Sequence, residues 1–208
     1  MATRTDSATT LPAQEAVDSF VLDTLPRQGW WQEAEYLWLT DHSNRLVELT
    51  DGCIEVLPMP TEEHQCISAH LYGLLLAHLQ VSDGKVLYAP LRLRVRAGAF
   101  REPDLLLVRN AADPRRGNRF WTGADLVVEV VSPDRPERDR FDKRRDYAAA
   151  RIPEYWIVDP DTATVTVLVL AGDEYREHGT FRRGTRAASH LLQGFSADVA
   201  AIFDSAGA

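Results

Sequence analysis

Across residues 63–81, apolar side chains return at Ile67, Leu71, Leu74, Leu75 and Leu79, the spacing of a helix that buries one face. "LRLRVR" (91–96) has a different period: Leu and Val alternate strictly with Arg, which predicts a strand with one dry face and one wet face. Two later runs do not alternate at all. "DLLLV" (104–108) and the stretch 126–131 in "DLVVEVV" are almost continuously apolar, as strands covered on both sides are. Yet Asp104 opens the first and Glu129 interrupts the second.

Weaker patterns fill in the rest. In "WWQEAEYLWLT", Trp31, Tyr36 and Leu39 fit one face of a short helix. "RLVELTDGCIEVLP" reads as two short strands around Thr50-Asp51-Gly52, because Asp-Gly favours a tight hairpin turn. "KVLYAP", "PEYWIVDP", "TATVTVLVL" and "DEYREHGTF" have strand composition, and "LLQGFSADVAAIF" reads as a short strand running into a closing helix. Asp134, Arg135 and Pro136 end the 126–131 strand, a helix is predicted over 138–150, and "RNAADPRRGNRFWTGA" is a loop. Interleaved strands and helices predict an α/β (α+β) domain with one mixed β-sheet flanked by helices.

Composition narrows this to one globular domain over 15–208, behind a small, polar N-terminal tail at 1–14: the chain has 208 residues, 45% of them hydrophobic and 26% charged. Neither a secretory signal nor a membrane-spanning run is apparent, so a cytoplasmic location without membrane partners is expected. Cys53 and Cys66 form no CxxC pair and are expected to be buried thiols, and a zinc site with His64 has no standard spacing. A net charge of −8 argues against a general nucleic-acid coat protein. Basic residues gather in "DPRRGNR", "DKRRD" and "FRRGTR", read first as solvated faces and second as polyanion contacts. Neither GxSxG nor GxGxxG occurs, which removes the serine-hydrolase and dinucleotide-binding classes.

The remaining chemistry lies in the acidic residues. A buried carboxylate must be paired, protonated or bound to a cation. If the strands that carry Asp104 and Glu129 are neighbours, about 4.8 Å apart, the two groups can share a divalent ion, and Mg²⁺ suits two carboxylates plus waters and phosphate oxygens. Asp139, Lys143 and Tyr147 recur every four residues and so share a helix face, which would bring the Lys143 ammonium to the same place. Against these stand ordinary readings: Asp104 as a turn residue after Pro103, Glu129 paired with Arg92 or Arg94, Lys143 in a surface ion pair with Asp139, Tyr147 as packing, and His64 as a helix-start residue bonded locally.

"REPD", "VVEVVSP", "DRFDKRRDY" and "PEYWIVDP", in this order and spacing, resemble the Uma-type restriction endonuclease family, a branch of the PD-(D/E)XK nuclease-like superfamily. The resemblance runs from "EYLWL" to the terminal "LLQGFSADVAAIF". It implies a restriction-endonuclease-like fold, a Mg²⁺- or Mn²⁺-dependent endonuclease acting on DNA, and a metal held by Asp104, Glu129 and the backbone carbonyl of Val130. The lysine of the general pattern, two residues after the acidic one, is replaced here by Val131, and the resemblance implies that Lys143 supplies that charge. It also places Glu48 toward the metal cleft. His64 could contact phosphate or shuttle a proton. Cutting both strands would call for a homodimer. The alternative is a catalytically inactive nuclease-fold domain that binds protein or nucleic acid.

Overall fold

The computed structural model describes residues 25–80, 82–133 and 137–207. The expected tail at 1–14 and the breaker residues Asp134, Arg135 and Pro136 lie outside them. Helix α1 (Glu33–Asp41) leads into strands β1 (Val47–Thr50) and β2 (Cys53–Val56), then helix α2 (Glu62–Leu79). Strands β3 (Lys85–Tyr88), β4 (Arg92–Arg96), β5 (Ala99–Arg101), β6 (Leu105–Val108), β7 (Phe120–Trp121) and β8 (Leu126–Val130) follow. A π-helical turn (Arg138–Asp142) runs directly into helix α3 (Lys143–Ala149). The chain closes with β9 (Glu154–Asp159), β10 (Thr164–Ala171), β11 (Glu174–Arg182), β12 (Arg186–Ala188), β13 (Ser196–Asp198) and helix α4 (Val199–Asp204).

The expected mixed sheet flanked by helices is the six-stranded sheet β11-β10-β9-β8-β6-β3, in which only β8 and β9 run parallel. A second sheet, β2-β1-β5-β4-β7, and the two-stranded pair β12-β13 were not anticipated. The second sheet depends on β5 and β7, which are three and two residues long. Runs that short carry no readable period.

Both faces of the six-stranded sheet are covered, which is why β6 and β8 are apolar without alternation. Leu105, Leu107, Leu126, Val128 and Val130 pack with Ile67, Leu71 and Leu75 of α2 and Ile202 of α4. Leu106, Val108, Val127 and Val131 face the other way, among Tyr147 of α3, Tyr155, and Leu93 and Val95 of the second sheet. A third cluster seats α1 on the second sheet through Trp31, Tyr36, Leu37, Leu49 and Phe100, with the Tyr36 hydroxyl donating to the Val47 carbonyl at 2.8 Å.

The Asp-Gly hairpin forms between β1 and β2, with Asp51 at φ 49° and Gly52 at φ 79°, as a type I′ turn requires. Gly52 is doubly constrained, because a Cβ there would lie 2.6 Å from the Gly29 carbonyl oxygen. The arginine face of β4 is not simply wet. Arg92 pairs with Asp41 at 2.9 Å and Arg94 with Glu33 at 2.8 Å, so α1 lies over it. The cysteines also depart from expectation: both are free, Cys53 is exposed and Cys66 half-buried.

Candidate active site at the meeting of the two sheets

Asp104 immediately precedes β6, and the register Leu105↔Val128 continued by one step sets it opposite Glu129. Directly opposed residues of an antiparallel pair project to the same face. The two carboxylates therefore share the side of the sheet that faces α3 and the second sheet. Asp104 is fixed there: its Oδ2 accepts the Val130 N–H at 2.7 Å and lies 3.1 Å from His64 Nε2. Both acidic residues, with Val130, His64 and Lys143, line a cavity of about 370 Å³.

Glu129 is 2% exposed. Its partners come from α3 rather than from Arg92 or Arg94. Lys143 Nζ lies 2.8 Å from Glu129 Oε2, 3.1 Å from Asp139 Oδ1 and 3.7 Å from Glu48 Oε1, and the Tyr147 hydroxyl donates to Glu129 Oε1. The four-residue spacing of Asp139, Lys143 and Tyr147 is thus a buried polar face. Burial and the charge of Glu129 hold the Tyr147 hydroxyl well above the usual tyrosine range, so it remains a donor. The preceding π turn is tied down by the Tyr155 hydroxyl, which donates to the Asp139 carbonyl at 2.8 Å.

Glu48 is fully buried in β1. Its Oε2 accepts from Arg101 at 2.9 Å and its Oε1 accepts the Glu102 N–H at 3.2 Å. Arg101 also donates to Asp146 of α3. A continuous chain of charged groups therefore runs Asp146, Arg101, Glu48, Lys143, Glu129, joining both sheets and α3. Two of these links, Arg101 in "REPD" and Asp146 in "DRFDKRRDY", sit among other charged residues, and nothing in the sequence pairs them with one another. A third missed residue, Glu102, stands inside the quoted "REPD".

Glu102 is 5% exposed and lines the same cavity, and its Oε2 has no hydrogen-bond partner among the described residues. Burial, reinforced by the Glu48 charge, pushes its carboxyl up to about 8. Burial likewise raises the Glu129 carboxyl, against the pull of Lys143 and with help from Asp104, Asp139 and Glu48. Burial draws His64 toward neutrality, but its hydrogen bond to Asp104 and that carboxylate's charge outweigh this, and the imidazole is net more basic than usual. The His64 backbone N–H separately bonds Thr61 Oγ1 at 3.2 Å, so the helix-start role and the contact with Asp104 coexist.

Among the described residues, no three His, Cys, Asp or Glu side chains form a metal-binding group by themselves, which leaves nothing for zinc at Cys53, His64 and Cys66. Two carboxylates on one face still suit a hard ion such as Mg²⁺, which takes one or two and keeps several waters. Burial, with neighbouring carboxylates, makes Glu129 and Glu102 weaker acids than usual, a cost that a bound cation would offset. On these grounds the donor set fits a divalent cation.

The fold and the sequence have known relatives. One solved structure, described as "a putative nuclease belonging to DUF820 from Anabaena variabilis", superposes with a TM-score of 0.70 over 85% of this chain and 99% of that one, at 18% identity, and so shares the fold. "Uncharacterized protein slr1290" from Synechocystis is 31% identical over 115 residues, 55% of this chain. The match spans 60% of that relative's length. The family model "Uma2: Putative restriction endonuclease" matches residues 33–200, which include both sheets and every residue of the buried charge chain. The chain belongs to the Uma2 restriction endonuclease family and has a nuclease-like fold.

Proposed function

We propose that this protein is a Mg²⁺- or Mn²⁺-dependent endonuclease that hydrolyses phosphodiester bonds in DNA, with Asp104, Glu129 and the Val130 carbonyl holding the ion. The observation that carries the reading is the placement of Asp104 opposite Glu129 in one cavity, with Lys143 2.8 Å from Glu129. When bound, a divalent ion polarises a phosphoryl oxygen and acidifies a water molecule. The chain's own residues prepare that site. The Val130 N–H and His64 orient Asp104, Tyr147 and Lys143 orient Glu129, and Lys143 contributes positive charge where a phosphate would gain negative charge. His64, made net more basic by Asp104, lines the cavity wall. A cytoplasmic enzyme, dimeric if it cuts both strands, is consistent with this role.

The test combines Mn²⁺ calorimetry with nicking of plasmid and of circular single-stranded DNA by Asp104→Asn and Glu129→Gln. Both variants should stay folded, lose Mn²⁺ binding and lose nicking. Full activity in either would remove the mechanism. One observation favours the second reading, an inactive nuclease-fold interaction module: both Glu129 oxygens are already engaged, by Tyr147 and Lys143. Absence of Mn²⁺ binding to the unmodified protein would support that module.

A further inference from the structure

The cavity that holds the acidic residues has a floor and a mouth of opposite character. At the floor, Glu129 and Lys143 are each 2% exposed, so a phosphate that meets them must descend into the protein. Glu102, which lines the cavity at 5% exposure, has one buried oxygen without a hydrogen-bond partner among the described residues. Toward solvent the lining is largely apolar, with Leu46, Leu57, Pro58, Pro60 and Tyr88 beside Gln65 and Ser68. Among the described residues, Lys143 is the only Lys or Arg that lines the cavity, and it belongs to the floor. Tyr88 is 57% exposed, and its ring is held edge-to-face against Tyr72, with centroids 5.1 Å apart and planes at 89°.

We propose that this cavity receives one nucleotide of an unpaired DNA strand, its base seated on Tyr88, and that an intact duplex is a poor ligand. The inference rests on the nuclease reading of the same floor residues and specifies the substrate. Proteins gain affinity for duplex DNA chiefly by neutralising phosphates with Lys and Arg, and among the described residues this mouth presents neither. Unpaired strands are held differently, by stacking their bases on exposed aromatic rings among apolar surroundings. A volume of about 370 Å³ is on the scale of one base and its sugar. The apolar wall then sequesters the base, and the attached phosphate reaches the carboxylates.

Fluorescence anisotropy with 5′-fluorescein-dT12, single-stranded or annealed to dA12, tests this on the full chain in EDTA, where no cutting occurs. The single strand should bind at least about tenfold more tightly than the duplex. Tyr88→Ala and Tyr88→Leu, the latter retaining bulk against Tyr72, should each weaken single-strand binding by about ten- to a hundredfold and leave duplex binding unchanged. Tyr88→Trp should bind like the unmodified protein. Equal or tighter duplex binding, or full single-strand affinity in Tyr88→Leu, overturns the proposal. Because these titrations involve no hydrolysis, they separate from the nicking assay: normal nicking by Asp104→Asn sinks the nuclease reading, whereas tight duplex binding sinks only the choice of substrate.

Discussion

Replacing Lys143 with methionine keeps most of the side-chain volume and removes one buried positive charge. The ammonium, 2% exposed, lies 2.8 Å from Glu129, 3.1 Å from Asp139 and 3.7 Å from Glu48, on three different elements. Breaking a buried ion pair from one side costs about 3–5 kcal/mol, because the remaining charge stays desolvated. For a domain of this size each kcal/mol moves Tm by about 2–4 °C, so Lys143→Met should melt about 10 °C lower near pH 8. The dependence on pH has a definite sign. Burial already raises the Glu129 carboxyl, and losing Lys143 raises it further, so the folded variant takes up a proton that the unfolded chain does not. That contribution is present at low pH and disappears as pH rises through the folded value. Thermal melts at about pH 5.5 and about pH 8 should therefore show the deficit widening with pH. A deficit below about 2 °C at pH 8, or one that narrows as pH rises, would refute the claim that Lys143 is the counter-charge of this cluster.

Three smaller tests address the same framework. Tyr147→Phe deletes the donor to Glu129 Oε1 and should cost about 1–3 kcal/mol in urea unfolding, and an unchanged midpoint would mean the hydroxyl is incidental. Glu102 titrates near 8 when folded against an ordinary 4.5, so its contribution to stability is complete below about pH 4.5 and lost as pH rises toward 8. Glu102→Gln should accordingly flatten the stability–pH curve over that window by on the order of 3–5 kcal/mol, and parallel curves for the two proteins would contradict the assignment. Gly52→Ala must place a Cβ at positive φ and 2.6 Å from the Gly29 oxygen, and should destabilise by at least about 1–2 kcal/mol in the same melts.

Long, strongly patterned segments were readable from the residues: the period of α2, the Asp-Gly hairpin, and the unbroken apolar runs of β6 and β8 all reflect burial of whole faces. The second sheet was not readable, because β5 and β7 are too short to carry a period and pair through residues far apart in sequence. The site divided along the same line. A carboxylate inside a doubly covered strand is conspicuous, so Glu129 draws attention by itself. Arg101 and Asp146 do not, since their 45-residue separation hides a pairing that only the packing of α3 against β5 creates. Glu102 was passed over beside Asp104, although its side chain also lines the cavity.

The arginine clusters that looked available to a polyanion prove to be structural in large part, and this bears on how such an acidic protein could hold nucleic acid at all. In "DPRRGNR", Arg115 is bound by Asp113 and Asp125, each at 2.6 Å, and Arg119 reaches Asp41 at 2.6 Å. In "FRRGTR", Arg183 pairs with Asp204 at 2.6 Å, and in "DKRRD" Arg144 donates to the Tyr175 carbonyl at 2.8 Å. With a formal charge of −8, the surface offers a phosphate backbone little long-range attraction. Recognition that depended on phosphate neutralisation would be weak and steeply salt-dependent, whereas a base stacked at Tyr88 gains most of its binding from short-range contact. Single-strand affinity that falls only shallowly with added salt is the signature that separates these two modes, and a steep slope would favour the second reading of the arginine clusters, as polyanion contacts.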